Sequence, residues 1–225
     1  MSMESRAEES IASPGTASQS STSNTVLKIG GSTLFQGPMR ALCSSVHAAA
    51  HERTYVIVGG GETVESMRVL HSIYPQLSEQ AMHWRCVELL DATWQVACEL
   101  MPECEPLESW EAIHASLSAS GGRTYLVRVR GFYDRCIESE PSVASNWIPR
   151  VGWQTTTDAL AWLLAKRIGA SRLRIAKQCQ CDTIQTIHDA AAQGIVDVEI
   201  SRLVACDPEP ASLCIELFSL EETPT

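Results

Sequence analysis

Thr25–Ser32 reads TVLKIGGS: a β-branched apolar run that ends in a lysine and then in a glycine pair. Val26, Leu27 and Ile29 suit a buried strand. Gly30 and Gly31 put no Cβ between their backbone amides and an approaching anion, so the strand end is a candidate phosphate cradle. Glycine pairs after strands also serve simple turns, and the motif alone does not choose between the two. The pattern is repeated at Tyr55–Glu62, YVIVGGGE, where Gly59, Gly60 and Gly61 close a second apolar run. Two such ends side by side would make one site.

The basic residues separate into two kinds. Of the seventeen, only Lys28, Lys166 and Lys177 are lysine, and Lys28 and Lys177 stand near the ends of predicted strands. A lysine there is a compact ammonium on a flexible stem, able to follow a moving phosphoryl group, whereas arginine is a rigid planar fork. Lys28 and Lys177 are therefore candidate working residues.

Composition limits what the chain can be. Its 225 residues fit one full core, at roughly 150 residues per domain. With 44% hydrophobic residues it is not a disordered chain, and no apolar run approaches the roughly 20 residues that span a bilayer. No membrane partner is expected. A net charge of −10 opposes nucleic-acid binding, which rests on neutralising phosphates, so none is expected either. The nine cysteines contain no CxxC pair, which points to small buried apolar residues in a reducing compartment and to a cytoplasmic protein. His47 and His51 fall one helical turn apart but read as core or surface residues, and no metal site is assigned.

In chain order, Met1–Asn24 is a Ser- and Glu-rich stretch without periodicity and is expected to be a disordered tail. Residues 25–220 form the single domain, and 221–225 a frayed end. Met39, Leu42, Val46 and Ala49 keep helical spacing after the first strand; Val64, Met67 and Leu70 do so after the second. A longer helix runs from Ser78 to Leu100, and Thr124–Val129 reads as a third strand. Gly131–Gly152, with Pro141 and Pro149, reads as loop or hairpin. Gln154–Asp158 then opens the helix Ala159–Ile168, with Gly169 as its stop. Thr155 with Asp158 three residues on fits a capping arrangement as well as a ligand site. Arg172–Ala176 is a fourth strand with Lys177 at its carboxyl end; Asp182–Gln193 is a predicted helix, Val196–Ile200 is ambiguous, and Leu213–Phe218 is a late strand. Strands alternating with helices predict a three-layer α/β/α sandwich on a mainly parallel central sheet.

Neither standard phosphate fingerprint is present: there is no GxxxxGK[ST], and Val64 stands where a dinucleotide motif needs its third glycine. The order KIGGS, VIVGGGE, TTDALAWLLA and a strand ending in lysine instead resembles the amino acid kinase family, the fold of aspartokinase, acetylglutamate kinase and bacterial uridylate kinase. The segment GWQTTTDALAWLLAKRIGASRLRIAK is most similar to the small archaeal-type aspartokinase relatives, which include the (aminomethyl)furan-methyl phosphate kinase of methanofuran biosynthesis.

The resemblance implies an ATP-dependent kinase for a small-molecule phosphoryl acceptor, with Mg²⁺ arriving with ATP, in a homo-oligomer. It implies that Lys28 holds the transferred phosphoryl with the amides of Gly30 and Gly31, and that Gly59, Gly60 and Gly61 face the acceptor. It further implies that Asp158 orients Lys28 and Lys177, and that Ser32, Thr156 and Thr157 are hydroxyl donors. One stretch departs from the family pattern. Where relatives carry an Asp-rich turn resembling DVDG, this chain has Gln178-Cys179-Gln180-Cys181-Asp182, which leaves a noncatalytic ligand-binding member of the fold as the alternative.

Overall fold

The computed structural model describes residues 23–36, 52–179, 181, 184 and 186–219. The tail 1–22, the predicted helix around Met39–Ala49 with His47 and His51, Gln180, Asp182 and the end 221–225 lie outside the described residues. Six strands, β1 (Ser23–Ile29), β2 (Glu52–Val58), β3 (Glu105–Leu107), β4 (Arg123–Val127), β5 (Arg172–Lys177) and β6 (Cys214–Ser219), form one sheet in the order β3-β4-β2-β1-β5-β6. Every pairing is parallel. Described helices are α1 (Ser32–Gln36), α2 (Glu62–Ile73), α3 (Glu79–Leu100), α4 (Trp110–Ser116), α5 (Thr157–Arg167), α6 (Ile187–Ala192) and α7 (Val198–Cys206). None is long and apolar enough to cross a membrane.

The strands read as continuous apolar runs because both sheet faces are covered. Side-chain alternation then divides them. Val26, Tyr55, Ile57, Leu173 and Ile175 join the larger core with α5 and the first half of α3, while Leu27, Ile29, Val56 and Ala176 pack in a smaller one with Trp94 and Ala97 from the second half of α3. Residues Thr157 to Ala165 of α5 are all buried, which explains its weak amphipathic pattern.

Several elements differ from the sequence expectation. Ser23 and Asn24 are the first rungs of β1 rather than tail: Asn24 pairs with Arg53, and its amide side chain donates to the Ile168 carbonyl at 3.2 Å, which ends α5. The third long strand stops at Val127, and a short β3 precedes it. β3 holds Pro106 because it is an edge strand, where the missing N–H is tolerated. Gly131–Gly152, expected as loop or hairpin, is the loop, built from short 3₁₀ turns. The ambiguous Val196–Ile200 resolves into a loop ending at Asp197 and the start of α7, whose N-terminus Asp197 caps through the Ile200 amide at 2.7 Å.

The third lysine is a structural one. Lys166, in the last turn of α5, pairs with Asp207 at 2.9 Å, with the two side chains 7% and 2% exposed, and also donates to Ser212 at 3.0 Å. Lys166→Met is expected to destabilise the protein by about 3–5 kcal/mol, because it leaves a buried carboxylate uncompensated. Urea unfolding checks this, and adding Asp207→Leu should recover most of the loss. A loss unchanged in the double variant would show that the pair is not the cause.

Candidate active site

Alternation along two adjacent strands fixes the centre of the site. Lys28 is two residues from Val26, and Lys177 two from Ile175, so both lysines point to the sheet face that α5 covers. β1 and β5 are neighbours, and the chain leaves β1 for β2 on one side and β5 for β6 on the other, so their carboxyl ends flank a topological switch point where open α/β sheets bind ligands. Asp158, in the first turn of α5, meets both lysines. Its Oδ1 lies 2.8 Å from Lys28 Nζ, and its Oδ2 accepts a hydrogen bond from Lys177 Nζ at 2.7 Å. The Lys28 contact is an ion pair whose direction misses the hydrogen-bonding geometry that the Lys177 contact meets.

The charges in this triad are unequal. Burial pushes the Asp158 carboxyl up, but the two ammoniums together outweigh it and hold the group below its usual range. Lys177 moves down: burial and the nearby Lys28 charge disfavour its ammonium more than Asp158 and Asp197 favour it. The site therefore holds a carboxylate locked in its charged form and one ammonium that is easier than usual to discharge.

The two glycine turns are pressed against one another beside this triad. A Cβ on Gly31 would lie 2.1 Å from the Gly61 nitrogen and 2.3 Å from the Gly59 oxygen, and Gly61 itself has φ +52°. Gly31 and Gly61 are therefore required for packing, a reason separate from anion approach. Gly30 is different: its added Cβ would meet only Ser32 Oγ at 3.5 Å and Thr33 Oγ1 at 3.9 Å. The amides of Gly31, Ser32, Gly60 and Gly61 have no carbonyl partner among the described residues, so the paired turns offer donors to an anion. Gly31→Ala is expected to separate the turns and remove ligand binding while Gly30→Ala is tolerated. Equal behaviour of the two variants in ligand titrations would contradict that division.

A cavity of about 390 Å³ joins these parts. Its lining includes every residue selected from the sequence, namely Lys28, Gly30, Gly31, Ser32, Gly59, Gly60, Gly61, Thr156, Thr157, Asp158 and Lys177. The threonines are arranged differently from the expectation. Thr155 does not form a capping box with Asp158: its hydroxyl donates to the Arg150 carbonyl at 2.5 Å, and the cap of α5 is Thr156, whose Oγ1 accepts from the Asp158 amide at 3.3 Å. The Asp158 carboxylate is drawn away by two full charges, a stronger attraction than a terminal amide. The Thr156 hydroxyl proton goes to Asp197 Oδ2 at 2.7 Å, so it is already used, while Thr157 Oγ1 faces Gly59.

The cavity also brings in residues that the sequence reading missed. Asp197 accepts from the Thr156 amide at 2.7 Å and the Ala159 amide at 3.2 Å with Oδ2, and from Ile200 with Oδ1, so one carboxylate caps α5 and α7 together. Burial, followed by the neighbouring Asp158 charge, raises its carboxyl above the usual range despite these donors. His83 is a buried wall residue between Gly152 and the Tyr133 hydroxyl, and burial lowers its pKa, so it contributes a neutral ring. Arg68 and Trp153 complete the rim. Only the apolar spacing of α2 and the helix-start pattern near Asp197 were available as signals, and neither indicates a site.

No protein-family model matches the sequence, and no curated protein sequence matches it. Similarity to solved structures does appear. The chain superposes on a uridylate kinase from Archaeoglobus fulgidus with a TM-score of 0.53 at 14% identity, covering 88% of this chain and 92% of that one. The fold is that of the amino acid kinases. An aspartate kinase from Synechocystis also aligns, at a TM-score of 0.48 and 14% identity, over 86% of this chain and 37% of its own length.

Proposed function

We propose that this protein is an ATP-dependent small-molecule kinase. The observation that carries the reading is the Asp158 carboxylate with one lysine on each oxygen, set beside two glycine turns with free amides at the switch point of the sheet. Phosphoryl transfer needs positioning and charge neutralisation more than a protein nucleophile, and this site supplies those two things. Lys28 and Lys177 neutralise phosphoryl oxygens from two adjacent strand ends. Asp158 offsets the repulsion between them, and with both oxygens engaged it is a positioning group instead of a base. The Gly31, Ser32, Gly60 and Gly61 amides hold further oxygens.

The donor set fits a nucleotide triphosphate, because ammoniums and free amides converge on one cavity. When bound, Mg-ATP supplies the transferred group and part of the charge neutralisation. In this reading Mg²⁺ arrives with the phosphates of ATP instead of in a dedicated protein cage. A reducing cytoplasmic setting, expected from nine cysteines without a CxxC pair, belongs to this reading.

For the acceptor, the finer proposal is a phosphorylated aminomethylfuran of the methanofuran type. It is supported by the resemblance carried by GWQTTTDALAWLLAKRIGASRLRIAK. An ADP-release assay with Mg-ATP tests it on the furan-methyl phosphate, its unphosphorylated form, uridylate and aspartate. Stimulation by the furan-methyl phosphate is expected. Stimulation by another member alone would keep the kinase and replace the acceptor. The turn starting Gln178-Cys179, where the family pattern is lost, favours a noncatalytic ligand-binding protein as the second reading. Tight ligand binding without ADP release on any acceptor would support that one.

The lowered pKa of Lys177 gives the kinase reading a pH signature. If both ammoniums are needed, turnover falls as pH rises through the Lys177 value, which lies below the ordinary lysine value of about 10.4. On the acid side Asp158 stays ionised below the usual carboxylate range, so its protonation sets no limb near neutrality. A pH–rate profile of kcat should show the early alkaline fall, and a profile that stays flat past the ordinary lysine value of about 10.4 would contradict the need for the Lys177 charge.

A further inference from the structure

The N-terminus of α5 is held twice. Thr156 caps it locally, accepting from the Asp158 amide at 3.3 Å, while Asp197 holds it from 38 to 41 residues further along the chain. Asp197 Oδ2 takes three donors, the Thr156 amide and hydroxyl at 2.7 Å each and the Ala159 amide at 3.2 Å, and Oδ1 takes the Ile200 amide at 2.7 Å. Asp197 is the acceptor in all four bonds. The ionised form is therefore the one its surroundings satisfy, since a carboxylate only accepts. The other acid in the first turn of α7 is committed elsewhere: Glu199 accepts from the Arg150 amide at 2.8 Å and from Arg202 at 2.6 Å.

Holding helix ends does not require a charge, because asparagine and serine cap about as well as aspartate. A carboxylate at this position has a cost that they would avoid. It lies near Asp158, and burial followed by that like charge lifts the Asp197 carboxyl above its usual range. What the charge supplies lies toward the lysines. Lys28, Asp158 and Lys177 together leave one surplus positive charge in a buried place, and buried charge is costly unless compensated. Asp197 brings that sum to zero. Together with Asp158 it favours the Lys177 ammonium, which burial and the Lys28 charge oppose. The other titratable groups on the cavity wall, Glu65, Arg68, His83 and Cys86, come from α2 and α3.

We propose that Asp197 is a positioning residue of this site: its carboxylate ties the turn that carries Asp158 to the start of α7 and supplies the second negative charge that balances Lys28 and Lys177. The consequence for phosphoryl transfer, which rests on the kinase reading, is that the Lys177 ammonium persists to higher pH. The charge balance itself does not depend on that reading.

The test reads Lys177 directly in the full chain. Wild type, Asp197→Asn, Asp197→Ser and Asp197→Glu are labelled with trace acetic anhydride across the neutral and alkaline range, and label at Lys177 and Lys166 is measured by mass spectrometry. Circular dichroism checks that each variant folds. Only the neutral amine reacts, so the midpoint of labelling follows its titration. Removing a nearby negative charge disfavours the ammonium, so in the Asn and Ser variants the Lys177 midpoint should move to lower pH, with about three- to tenfold more label at one pH below it. Lys166, paired with Asp207, should not change. Asp197→Glu, which keeps the charge, should stay close to wild type. With Mg-ATP and an acceptor that is turned over, the alkaline fall of kcat should come earlier in the same two neutral variants.

A Lys177 midpoint unchanged in both neutral variants would overturn the proposal, since Asp197 would then be a helix cap only. An equal change in Asp197→Glu would overturn it as well, because the effect would follow shape instead of charge. So would loss of folding in both neutral variants. Label that moves as expected while kcat does not, or while no acceptor releases ADP, would leave the charge balance standing and remove the kinase reading.

Discussion

Asp158→Asn is expected to abolish turnover and to destabilise the fold by about 3–5 kcal/mol, the usual effect of removing one member of a buried charge network. The side chain is 3% exposed and each of its oxygens carries an ammonium, so the neutral amide would leave Lys28 and Lys177 facing each other without compensation, with its NH₂ directed at one of them. The pH dependence of stability supplies a second readout. The folded carboxyl titrates below its unfolded value of about 3.9, so its contribution is fully present above that pH and is lost as pH falls through the folded value. Asp158→Asn should remove that acid-range component. Replacing Lys177 by Met as well should return part of the stability, because the pair then no longer repels. Urea unfolding at several pH values measures both effects, and an Asn variant as stable as wild type would show that the carboxylate is not what reconciles the two lysines.

Lys28→Ala should lower kcat by about 10²–10³-fold, the range for removing one preorganised group that faces charge developing in a transition state. Lys28→Arg should not rescue it. The residue is 6% exposed between the sheet and α5, and a planar fork cannot occupy the position of a point charge paired to one carboxylate oxygen. The Arg variant maintains the charge, so its failure would separate geometry from net electrostatics. Activity of Lys28→Arg near that of wild type would remove the assigned role.

The parts of this site that could be read from the sequence are those carried by short-range pattern. The apolar run of TVLKI, the strand RLRIAK and the glycines after YVIV give strands with special ends, and the shortage of lysines selects Lys28 and Lys177. The Thr-rich helix start gives Asp158, although its local capping reading loses to two lysines that are distant in the chain.

Arg68, Trp153 and Asp197 were not readable in the same way, because their meaning comes from long-range contacts. Asp197 is capped onto Thr156 and Ala159 across about forty residues, and Trp153 stacks on Arg68 across 85. The edge strand β3 was hidden by Pro106, a residue that argues against strand except at an edge, which only the assembled sheet defines.

The most direct measurement is a calorimetric titration of the full chain with Mg-ATP, repeated on Lys177→Ala. The site predicts saturable binding by wild type and binding at least about tenfold weaker in the variant, since one charged contact to phosphate is lost. No heat of binding to wild type at millimolar Mg-ATP would contradict a phosphoryl-transfer site between Lys28, Asp158 and Lys177.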